Sequence, residues 1–569
     1  MIRSQMVQTR TEVLAERGVV SAGHMREAQA GTRMLEEGGN AIDALVAAAF
    51  TAFVIEPAQS GLGGYGHLAM FLAEPGEFVT VDHYVRAPRA ARPEMFDPDP
   101  AQPTMYYGWP RVAGQRNEWG HLAAGIPGAV AGLCVAQERY GKVRLAQVLE
   151  PAIEAAEEGV PVTWNLVLAI AARFEEIRSL PEAAALLLRD GKPPRLPSLD
   201  REGDRLDLSE LATTLRRIAR EGAAGFYTGP VAEAIEREFR AHGGFLTADD
   251  LATYEPKILR ESPATYRAFS YVTANDTIGY EALNILDHFD LPRYGPESVE
   301  FRHLAAEALG HAFADNMTHY GDPDVTPSPV HGLVSRGFAT ERAAGIDLER
   351  AAPRPIVAGD PWAYETAGAP SGGLAAAPSC GGTHGTTQIA TADRDGNMAA
   401  LITSLSNAFG SLVVVPGTGV ILNDGMQNFD PRPGRANSIA PGKMPIFAVP
   451  AIVATRDGKA AFAAAGAGGY RITAGVIHTM LHALDFALGL QAAVDAPRVH
   501  CQGDETFVDS RISADVRERL AEMGHHVVVQ EEVPGSFYFG RVSAVARDAK
   551  TGMLHAASGP AWHTAAAGA

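Results

Sequence analysis

The amino-acid sequence predicts a layered α/β protein. Of its 569 residues, 46% are hydrophobic and 20% are charged, which is typical of folded chains with a sizeable core. Its 59 glycines and 37 prolines indicate many tight turns and close backbone approaches rather than long helical bundles. Segments with helical and with strand periodicity both occur, so we expect helices layered on sheets. At ~150 residues per domain the length allows several domains or one large unit.

Charge and cysteine content exclude several classes of function. The chain has 67 acidic and 48 basic residues, and its formal net charge of -19 disfavours nucleic acid and anionic membrane as partners. Its 3 cysteines lie far apart without the paired spacing of a zinc or redox centre, which fits a reducing compartment. Neither a signal core nor an apolar run of ~20 residues is evident, so we expect a cytoplasmic protein.

The first part of the chain predicts two helices followed by two strands. The segment His24 to Glu37 reads as a helix that ends at two glycines, and Asn40 then caps a second, apolar helix that we expect to be buried. A glycine-rich corner over residues 56–66 leads to the strand candidates His67 to Leu72 and Phe78 to Asp82.

The rest of the chain predicts a helical middle and a sheet-rich end. Residues 127–350 read as mostly helical because amphipathic stretches recur there, namely Leu145 to Glu158, Leu208 to Arg220 and Val231 to His242. Residues 351–385 are rich in Pro, Gly and Ala and show neither period, which predicts a linker that is either functional or disordered. After them we expect a hairpin of Thr386 to Ala392 with Met398 to Ser404, then more strands and a helix from about Tyr470.

The hairpin brings two hydroxyl groups together at the end of the linker. With its turn centred on Asp395 and Gly396, Thr386 lies opposite residue 404 or 405, so the Ser404 hydroxyl can lie beside it. If the peptide bond after Gly385 is cleaved, Thr386 gains a free α-amine that can serve as general base for its own hydroxyl. On pattern alone, an ordinary β-branched strand residue is the more frequent meaning of this threonine.

Two further patterns have both a chemical and a structural interpretation. Residues 464–471 predict a strand, a glycine turn and a helix start, whose backbone N–H groups can stabilise an oxyanion or simply form a tight turn. A stripe of possible metal ligands recurs at a spacing of four: His303, Glu307, His311, Asp315 and His319. We expect a solvated helix face there, as for His478, His482 and Asp485, and rank a metal-dependent hydrolase last.

Many short motifs occur in order along the chain. They include Glu37 to Ala44, Glu56 to Gly66, Gly125 to Gly132, Asp395 to Asn397 and Gly466 to Arg471. From about residue 18 to residue 510 the sequence thereby resembles the gamma-glutamyltransferases (gamma-glutamyltranspeptidases), which are N-terminal-nucleophile hydrolases. The resemblance implies a four-layer αββα sandwich with a helical portion in its large segment.

The resemblance also implies autocatalytic cleavage of a zymogen between Gly385 and Thr386. The large segment 1–385, which ends in the linker 351–385, and the small segment 386–569 then form one sandwich as a heterodimer. By resemblance Thr386 is the nucleophile and Ser404 replaces a threonine hydroxyl bonded to it. Gly468 and Gly469 match the backbone oxyanion hole.

The substrate-binding positions implied by the resemblance depart from the family pattern. They are Tyr84, Arg86, Ser406, Asn428 and Phe447. The family's carboxylate-binding arginine is Tyr84 here, with Arg86 two positions later, and Asn428 replaces an aspartate that binds the substrate ammonium. Ser406 replaces an asparagine, and the family's paired serines fall within residues 446–448. Gln388 stands where the family has a histidine.

Together these residues imply an amide hydrolase or acyltransferase that forms an acyl-enzyme on Thr386 and needs no cofactor and no metal. Its expected partners are a small-molecule amide and its own two fragments. A gamma-glutamyl amide, and hence glutathione metabolism, stays possible, but the lost charges favour a different acyl group, as in acylase and small amidohydrolase branches. The alternative of another class is an unprocessed, inactive binding scaffold.

Overall fold

Two antiparallel sheets form the centre of the molecule in the computed structural model, which describes residues 10–99, 101, 109–365, 385–446, 450–532, 538–560 and 563–569. Over these residues each sheet has seven strands, and the two sheets pack face to face with helices on both outer sides. The predicted α/β class and the αββα sandwich are therefore confirmed.

The strands are, in chain order, β1 (Val13–Ala15), β2 (Gly18–Ala22), β3 (Tyr65–Leu72), β4 (Glu77–His83), β5 (Val160–Pro161), β6 (Arg205–Leu206), β7 (Lys257–Glu261), β8 (Ala264–Tyr266), β9 (Phe269–Thr273), β10 (Gly385–Asp393), β11 (Met398–Ser406), β12 (Val414–Val415), β13 (Val420–Ile421), β14 (Ile452–Arg456), β15 (Lys459–Ala467), β16 (Val499–Cys501), β17 (Glu505–Asp509), β18 (His526–Gln530), β19 (Arg541–Arg547), β20 (Leu554–Ser558) and β21 (Ala565–Gly568).

The helices are α1 (Met25–Glu36), α2 (Ala41–Ile55), α3 (Ala129–Tyr140), α4 (Leu145–Glu158), α5 (Trp164–Ala172), α6 (Phe174–Ser179), α7 (Pro181–Leu187), α8 (Ser209–Glu221), α9 (Ala224–Tyr227), α10 (Pro230–Ala241), α11 (Ala248–Ala252), α12 (Thr277–Leu286), α13 (Val299–His319), α14 (Val330–Leu333), α15 (Arg336–Ala344), α16 (Arg471–Leu484), α17 (Leu490–Asp495) and α18 (Ala514–Glu522). Short 3-10 turns cover Ala113–Gln115, Leu291–Arg293, Pro361–Tyr364 and Gly425–Asn428.

Strand order brings distant parts of the chain together. Sheet 1 has the order β21-β2-β10-β11-β3-β4-β7, and sheet 2 has the order β1-β20-β19-β15-β14-β9-β8. Smaller sheets pair β12 with β13, β5 with β6, and β16 and β18 with β17. Both large sheets thus combine strands from before and after residue 385.

The outer layer on sheet 1 begins with the two predicted helices. Helix α1 has His24 as its N-cap, and α2 starts at a capping box in which Asn40 and Asp43 bond each other's backbone N–H. Helix α2 is apolar almost throughout and buried, since it packs against α1 and α4 as well as against β10 and β11. On the other side, α16 and α17 cover β15, β19 and β20.

The two sides of β10 face different layers because side chains alternate along a strand. Ile389 packs in the hydrophobic cluster between sheet 1 and its helices, whereas Ala390 and Ala392 pack in the cluster between the sheets. By the same alternation Thr386 and Gln388 face the inter-sheet side, and Thr387 faces the helices.

The helical middle of the chain was predicted incompletely. Strands β7, β8 and β9 lie within residues 127–350, at the far edges of sheets 1 and 2. Strand β7 is half-exposed over much of its length, so its sequence shows little of the apolar alternation that marks a strand. Of the predicted linker, residues 351–365 and 385 are described, and Pro361–Tyr364 form a 3-10 turn.

The prediction of solvated helix faces was wrong. In the stripe on α13, His303, Glu307, His311 and Asp315 are buried, and on α16 so are His478 and His482. Arg354 lies 2.6 Å from the Glu307 carboxylate, and Arg342 lies 2.9 Å from that of Asp315. These guanidinium groups come from residues outside the helix and compensate the buried carboxylates.

Two further findings bear on the composition. Cys134 and Cys501 are buried free thiols, and Cys380 lies outside the described residues. Within the described ranges, no helix has the length and apolar character required to cross a bilayer.

Replacing Asn40 by alanine tests the cap of α2. The side-chain oxygen of Asn40 accepts from the backbone N–H of Ile42 and of Asp43, at 3.0 and 3.1 Å. We expect Asn40→Ala to lower the free energy of unfolding by about 1–2 kcal/mol, measured by urea titration. Asn40→Asp keeps a side-chain oxygen as acceptor, so its free energy of unfolding should fall by less. Equal midpoints for Asn40→Ala and the parent chain would contradict this account.

Candidate active site

The hairpin register brings the two predicted hydroxyl groups together. Thr386 pairs with Ser404, as predicted, with an irregularity between Gly385 and Thr386. The Thr386 Oγ1 and Ser404 Oγ atoms lie 3.0 Å apart in the buried inter-sheet space. Ser404 Oγ donates to the Gly385 carbonyl at 2.6 Å, which uses its single hydrogen. Thr386 is therefore the donor to Ser404, and a lone pair of its oxygen stays available for attack.

The backbone of Thr386 is held by two residues that the sequence did not single out. Its N–H donates to Gln59 Oε1 at 3.2 Å, and its carbonyl accepts from Arg541 Nη2 at 3.0 Å. Gln59 lies in the glycine-rich corner after α2, and Arg541 is the first residue of β19. Only the corner was marked by a motif, and Arg541 carried no local signal.

A buried carboxylate pair lies on the helix side of the same strand. Thr387 Oγ1 donates to Glu56 Oε2 at 2.7 Å, and Glu56 is hydrogen-bonded to Glu27 of α1. Burial, followed by the neighbouring Glu56 charge, raises the pKa of Glu27 well above its usual range. This shift favours a proton on Glu27, which faces the Glu56 carboxyl group.

On the other side of Ser404, a chain of neutral polar groups includes three of the predicted substrate-binding residues. Ser406 N donates to Ser404 Oγ at 2.9 Å, and Ser406 Oγ donates to Asn428 Oδ1 at 3.3 Å. Asn428 Nδ2 in turn donates to the phenol oxygens of Tyr65 and Tyr84, at 3.1 and 3.0 Å. Burial raises the pKa of Tyr65 to about 12, so this phenol is neutral.

Asp424 lies next to this chain but is directed elsewhere. Its carboxylate accepts from the Asn407 backbone and side-chain nitrogens and from Gln427 Nε2, at 2.9, 2.8 and 2.6 Å. Burial nevertheless raises the pKa of Asp424 to about 7, with Arg173 as the main opposing charge. The described hydrogen bonds therefore direct the Asp424 carboxylate to Asn407 and Gln427.

The glycine turn lies at the same end of the sandwich as Thr386. Gly468 and Gly469 follow β15 with φ of 133° and 60°, a conformation that favours glycine. Arg541 pairs in register with Ala467, directly before the turn, and its side chain reaches the Thr386 carbonyl. The oxyanion role of the two glycines stays a prediction.

Three other predicted positions are not part of the hydrogen-bonded group around Thr386 and Ser404. The Arg86 guanidinium lies 3.9 Å from the Asp322 carboxylate, and its backbone pairs with Ile126. Gln388 Nε2 contacts Ser543 Oγ at 3.4 Å across the inter-sheet space. Phe447 lies outside the described residues.

Possible metal ligands cluster away from Thr386. Within the described ranges, His121, Glu238 and His242 form one such group, and His303, Glu307 and His525 form another. In the second, His303 Nδ1 and His525 Nε2 lie 2.8 Å apart in a hydrogen bond, and Arg354 pairs with Glu307. The adjacent guanidinium disfavours a cation there.

An αββα sandwich with a buried threonine at the start of a central strand defines the N-terminal-nucleophile hydrolase class. The Gamma-glutamyltranspeptidase family model matches residues 28–569, so the chain belongs to that family.

Similar proteins carry two kinds of name. Acylase ACY 1 proenzyme of Pseudomonas sp. (strain SE83) is 35% identical over 525 residues, which cover 91% of this chain and 88% of that protein. Glutathione hydrolase proenzyme of Bacillus subtilis (strain 168) is 31% identical over 514 residues, with coverages of 89% and 85%. The crystal structure of cephalosporin acylase from Bacillus halodurans matches with a TM-score of 0.85 and 29% identity, covering 100% of this chain and 99% of that chain.

The raised pKa of Asp424 predicts a contribution to the pH dependence of stability. The folded-state pKa of about 7 lies above the ordinary value of 3.8, so the protonated form is favoured by folding. This contribution is present below pH 4 and is lost as the pH rises through about 7. Between pH 4 and 7 the titration of Asp424 should lower the free energy of unfolding of the wild-type protein by a few kcal/mol. In Asp424→Asn this decrease should be absent, which urea unfolding at several pH values would measure.

Asp207→Asn is the control for this prediction. Asp207 is exposed, and a backbone hydrogen bond from Ser209 lowers its pKa, so it does not titrate between pH 4 and 7. Parallel pH profiles for Asp424→Asn and Asp207→Asn would show that Asp424 does not titrate as described.

Proposed function

We propose that this chain is a self-processing amidase whose nucleophile is Thr386. The observation that carries the proposal is the buried hydrogen bond of 3.0 Å between Thr386 and Ser404, with Ser404 also bonded to the carbonyl of Gly385. The nucleophile, the bond to be cleaved and a donor to the carbonyl oxygen are thus in one place. Membership of the family, and relatives named proenzymes, support it.

In processing, Thr386 Oγ1 attacks the carbonyl carbon of Gly385. Ser404 donates to the oxygen of that carbonyl and stabilises the negative charge that develops there. Collapse breaks the C–N bond, transfers a proton to the nitrogen of Thr386 and leaves an ester on Oγ1. Water then hydrolyses the ester and gives segments of 385 and 184 residues. The heterodimer and the cytoplasmic location stay predictions.

In catalysis, the α-amine of Thr386 takes the proton of its own hydroxyl as the oxygen attacks the substrate amide. The tetrahedral oxyanion is held by the backbone N–H groups of Gly468 and Gly469, and the α-ammonium returns its proton to the leaving amine. Water or another amine then resolves the acyl-enzyme, which gives hydrolysis or acyl transfer.

The substrate side of the proposal rests on charge. Asn428 bonds to Ser406, Tyr65 and Tyr84, which are neutral, so this part of the site offers hydrogen bonds but no anion for a substrate ammonium. Arg86 is directed at Asp322. These differences favour an acyl group other than gamma-glutamyl, which fits the relative named an acylase.

Replacing Thr386 by alanine tests processing and the scaffold alternative together. Wild-type protein should give two bands on a denaturing gel, by proportion of 60.2 kDa roughly 41 and 19 kDa. Thr386→Ala should give one full-length band without amidase activity, because both the nucleophile and its amine are lost. Thr383→Ala is the control and should still give two bands. A single band in fresh wild-type protein would establish the scaffold instead.

Restoring a carboxylate at position 428 tests the substrate argument. We expect Asn428→Asp to raise kcat/KM for a gamma-glutamyl anilide relative to an uncharged acyl anilide by about tenfold, since a partly buried ion pair contributes about 1.4 kcal/mol. Asn428→Ala removes the same amide without adding charge and should not change the ratio in favour of the glutamyl substrate. A wild-type enzyme that already prefers the gamma-glutamyl anilide would refute the argument.

A further inference from the structure

One guanidinium crosses the space between the two sheets beside the nucleophile. Arg541 starts β19 in sheet 2 and is almost fully buried. Its Nη2 atom donates to the Thr386 carbonyl at 3.0 Å and lies 3.4 Å from Gln59 Oε1. Gln59 Oε1 is also the acceptor for the Thr386 N–H. The cation and the future amino group therefore share one hydrogen-bond acceptor.

The other charged and titratable groups around this position come from several elements. Glu27 and Glu56 act on Arg541 from α1 and the end of α2, and Glu532 acts on it from the segment before β19. His24 and His563 lie near Glu56, and Arg10 lies near His563. Tyr65 and Asp424 lie on the side of Ser404. Burial lowers the pKa of His24 and His563, so both are neutral at pH 7.

Cleavage changes what the nitrogen of Thr386 must do. In the intact chain it is an amide that donates its single hydrogen to Gln59. After cleavage it is an amine with two hydrogens and a lone pair, so one N–H can stay on Gln59 while the lone pair accepts the hydroxyl proton. A protonated amine has no lone pair and cannot act as the base.

On the basis of the proposed function, we propose that Arg541 is a positioning residue that keeps the α-amine of Thr386 in its neutral, base-competent form. A buried cation on the same acceptor opposes a second positive charge, because repulsion is strong where water is excluded. The carboxyl groups of Glu27 and Glu56 act on the guanidinium from the helix side of the strand, where Glu56 accepts from Thr387 Oγ1. The contact with the Thr386 carbonyl fixes the distance at which this repulsion acts.

The test is the pH dependence of kcat/KM for processed enzyme on an anilide substrate. Arg541→Met removes the charge, so the midpoint of the acidic limb should move up by about one pH unit, with activity recovering at higher pH. Arg541→Lys keeps the charge and should keep the midpoint within a few tenths. Arg302→Met, which removes a buried guanidinium on α13, is the matched control and should leave the midpoint unchanged. A lower rate at every pH with an unmoved midpoint would overturn the proposal.

A readout without turnover separates this proposal from the proposed function. Carbamylation of the α-amine by cyanate, followed by mass spectrometry of the 184-residue fragment, reports the fraction of neutral amine at each pH. Absence of that fragment in wild-type protein refutes the proposed function. A fragment whose amine titrates identically in wild type and Arg541→Met refutes only the role of Arg541.

If Arg541→Met does not fold or undergo processing, Gln59→Glu tests the same effect of charge on the α-amine. This variant keeps the guanidinium but places a carboxylate on the amine, so the titration midpoint should again move to higher pH. An unchanged midpoint in Gln59→Glu would show that charge at this acceptor does not control the amine.

Discussion

The site depends on the register between β10 and β11. Because Thr386 lies opposite Ser404, two hydroxyl groups meet on the inter-sheet side of the strand. A slip by one residue would turn Thr386 towards α2 and bring Thr387 into the inter-sheet space. The register is held by neighbours on both sides, since β2 and β3 pair with the hairpin. Beyond the polar residues near its open end, the inward side of the hairpin is apolar: Ala390, Ala392, Met398, Ala400 and Ile402 pack in the inter-sheet cluster. The fold therefore determines which of two adjacent threonines lies in the inter-sheet space beside Ser404.

Buried charge is the second constraint on this end of the sandwich. The start of β10, with Thr386 and Thr387, lies between a carboxyl pair on the helix side and a guanidinium from the opposite sheet. Each charge would be costly alone in this environment, and the arrangement makes each compensate the other. The nitrogen of Thr386 and the Arg541 guanidinium share one acceptor, Gln59 Oε1, at 3.2 and 3.4 Å.

Helices and strands that have a clear local pattern, such as a cap or an amphipathic period, could be predicted from the sequence. Helix α4 has the predicted bounds, and α2 begins at its predicted cap, because capping and amphipathic periodicity are properties of a short segment. The hairpin was predicted for the same reason. Strand β7 was missed because an edge strand that is half-exposed has no strong apolar pattern.

The parts that sequence reasoning missed depend on contacts between distant residues. The polar residues of the α13 stripe have the sequence pattern of a solvent-exposed helix face. They are buried because Arg342 and Arg354 pair with two of its carboxylates. Arg541 lies 155 residues from the threonine whose carbonyl it binds, and Gln59 lies 327 residues from it. A spacing pattern cannot reveal such partners, so the pairing of Thr386 with Ser404 could be predicted while the electrostatic environment of Thr386 could not.

The asparagine at position 428, where the resemblance implies an aspartate, differs from a carboxylate in more than its charge. Asn428 accepts from Ser406 through its oxygen and donates to two phenol oxygens through its nitrogen. An aspartate in the same place has no donor at neutral pH, so both phenols would have to turn their hydrogens towards it. With asparagine the two phenol oxygens accept from residue 428, so their own hydrogens are directed away from it. A single amide in place of a carboxylate thus reverses the direction of two hydrogen bonds and removes a negative charge that could pair with a cation.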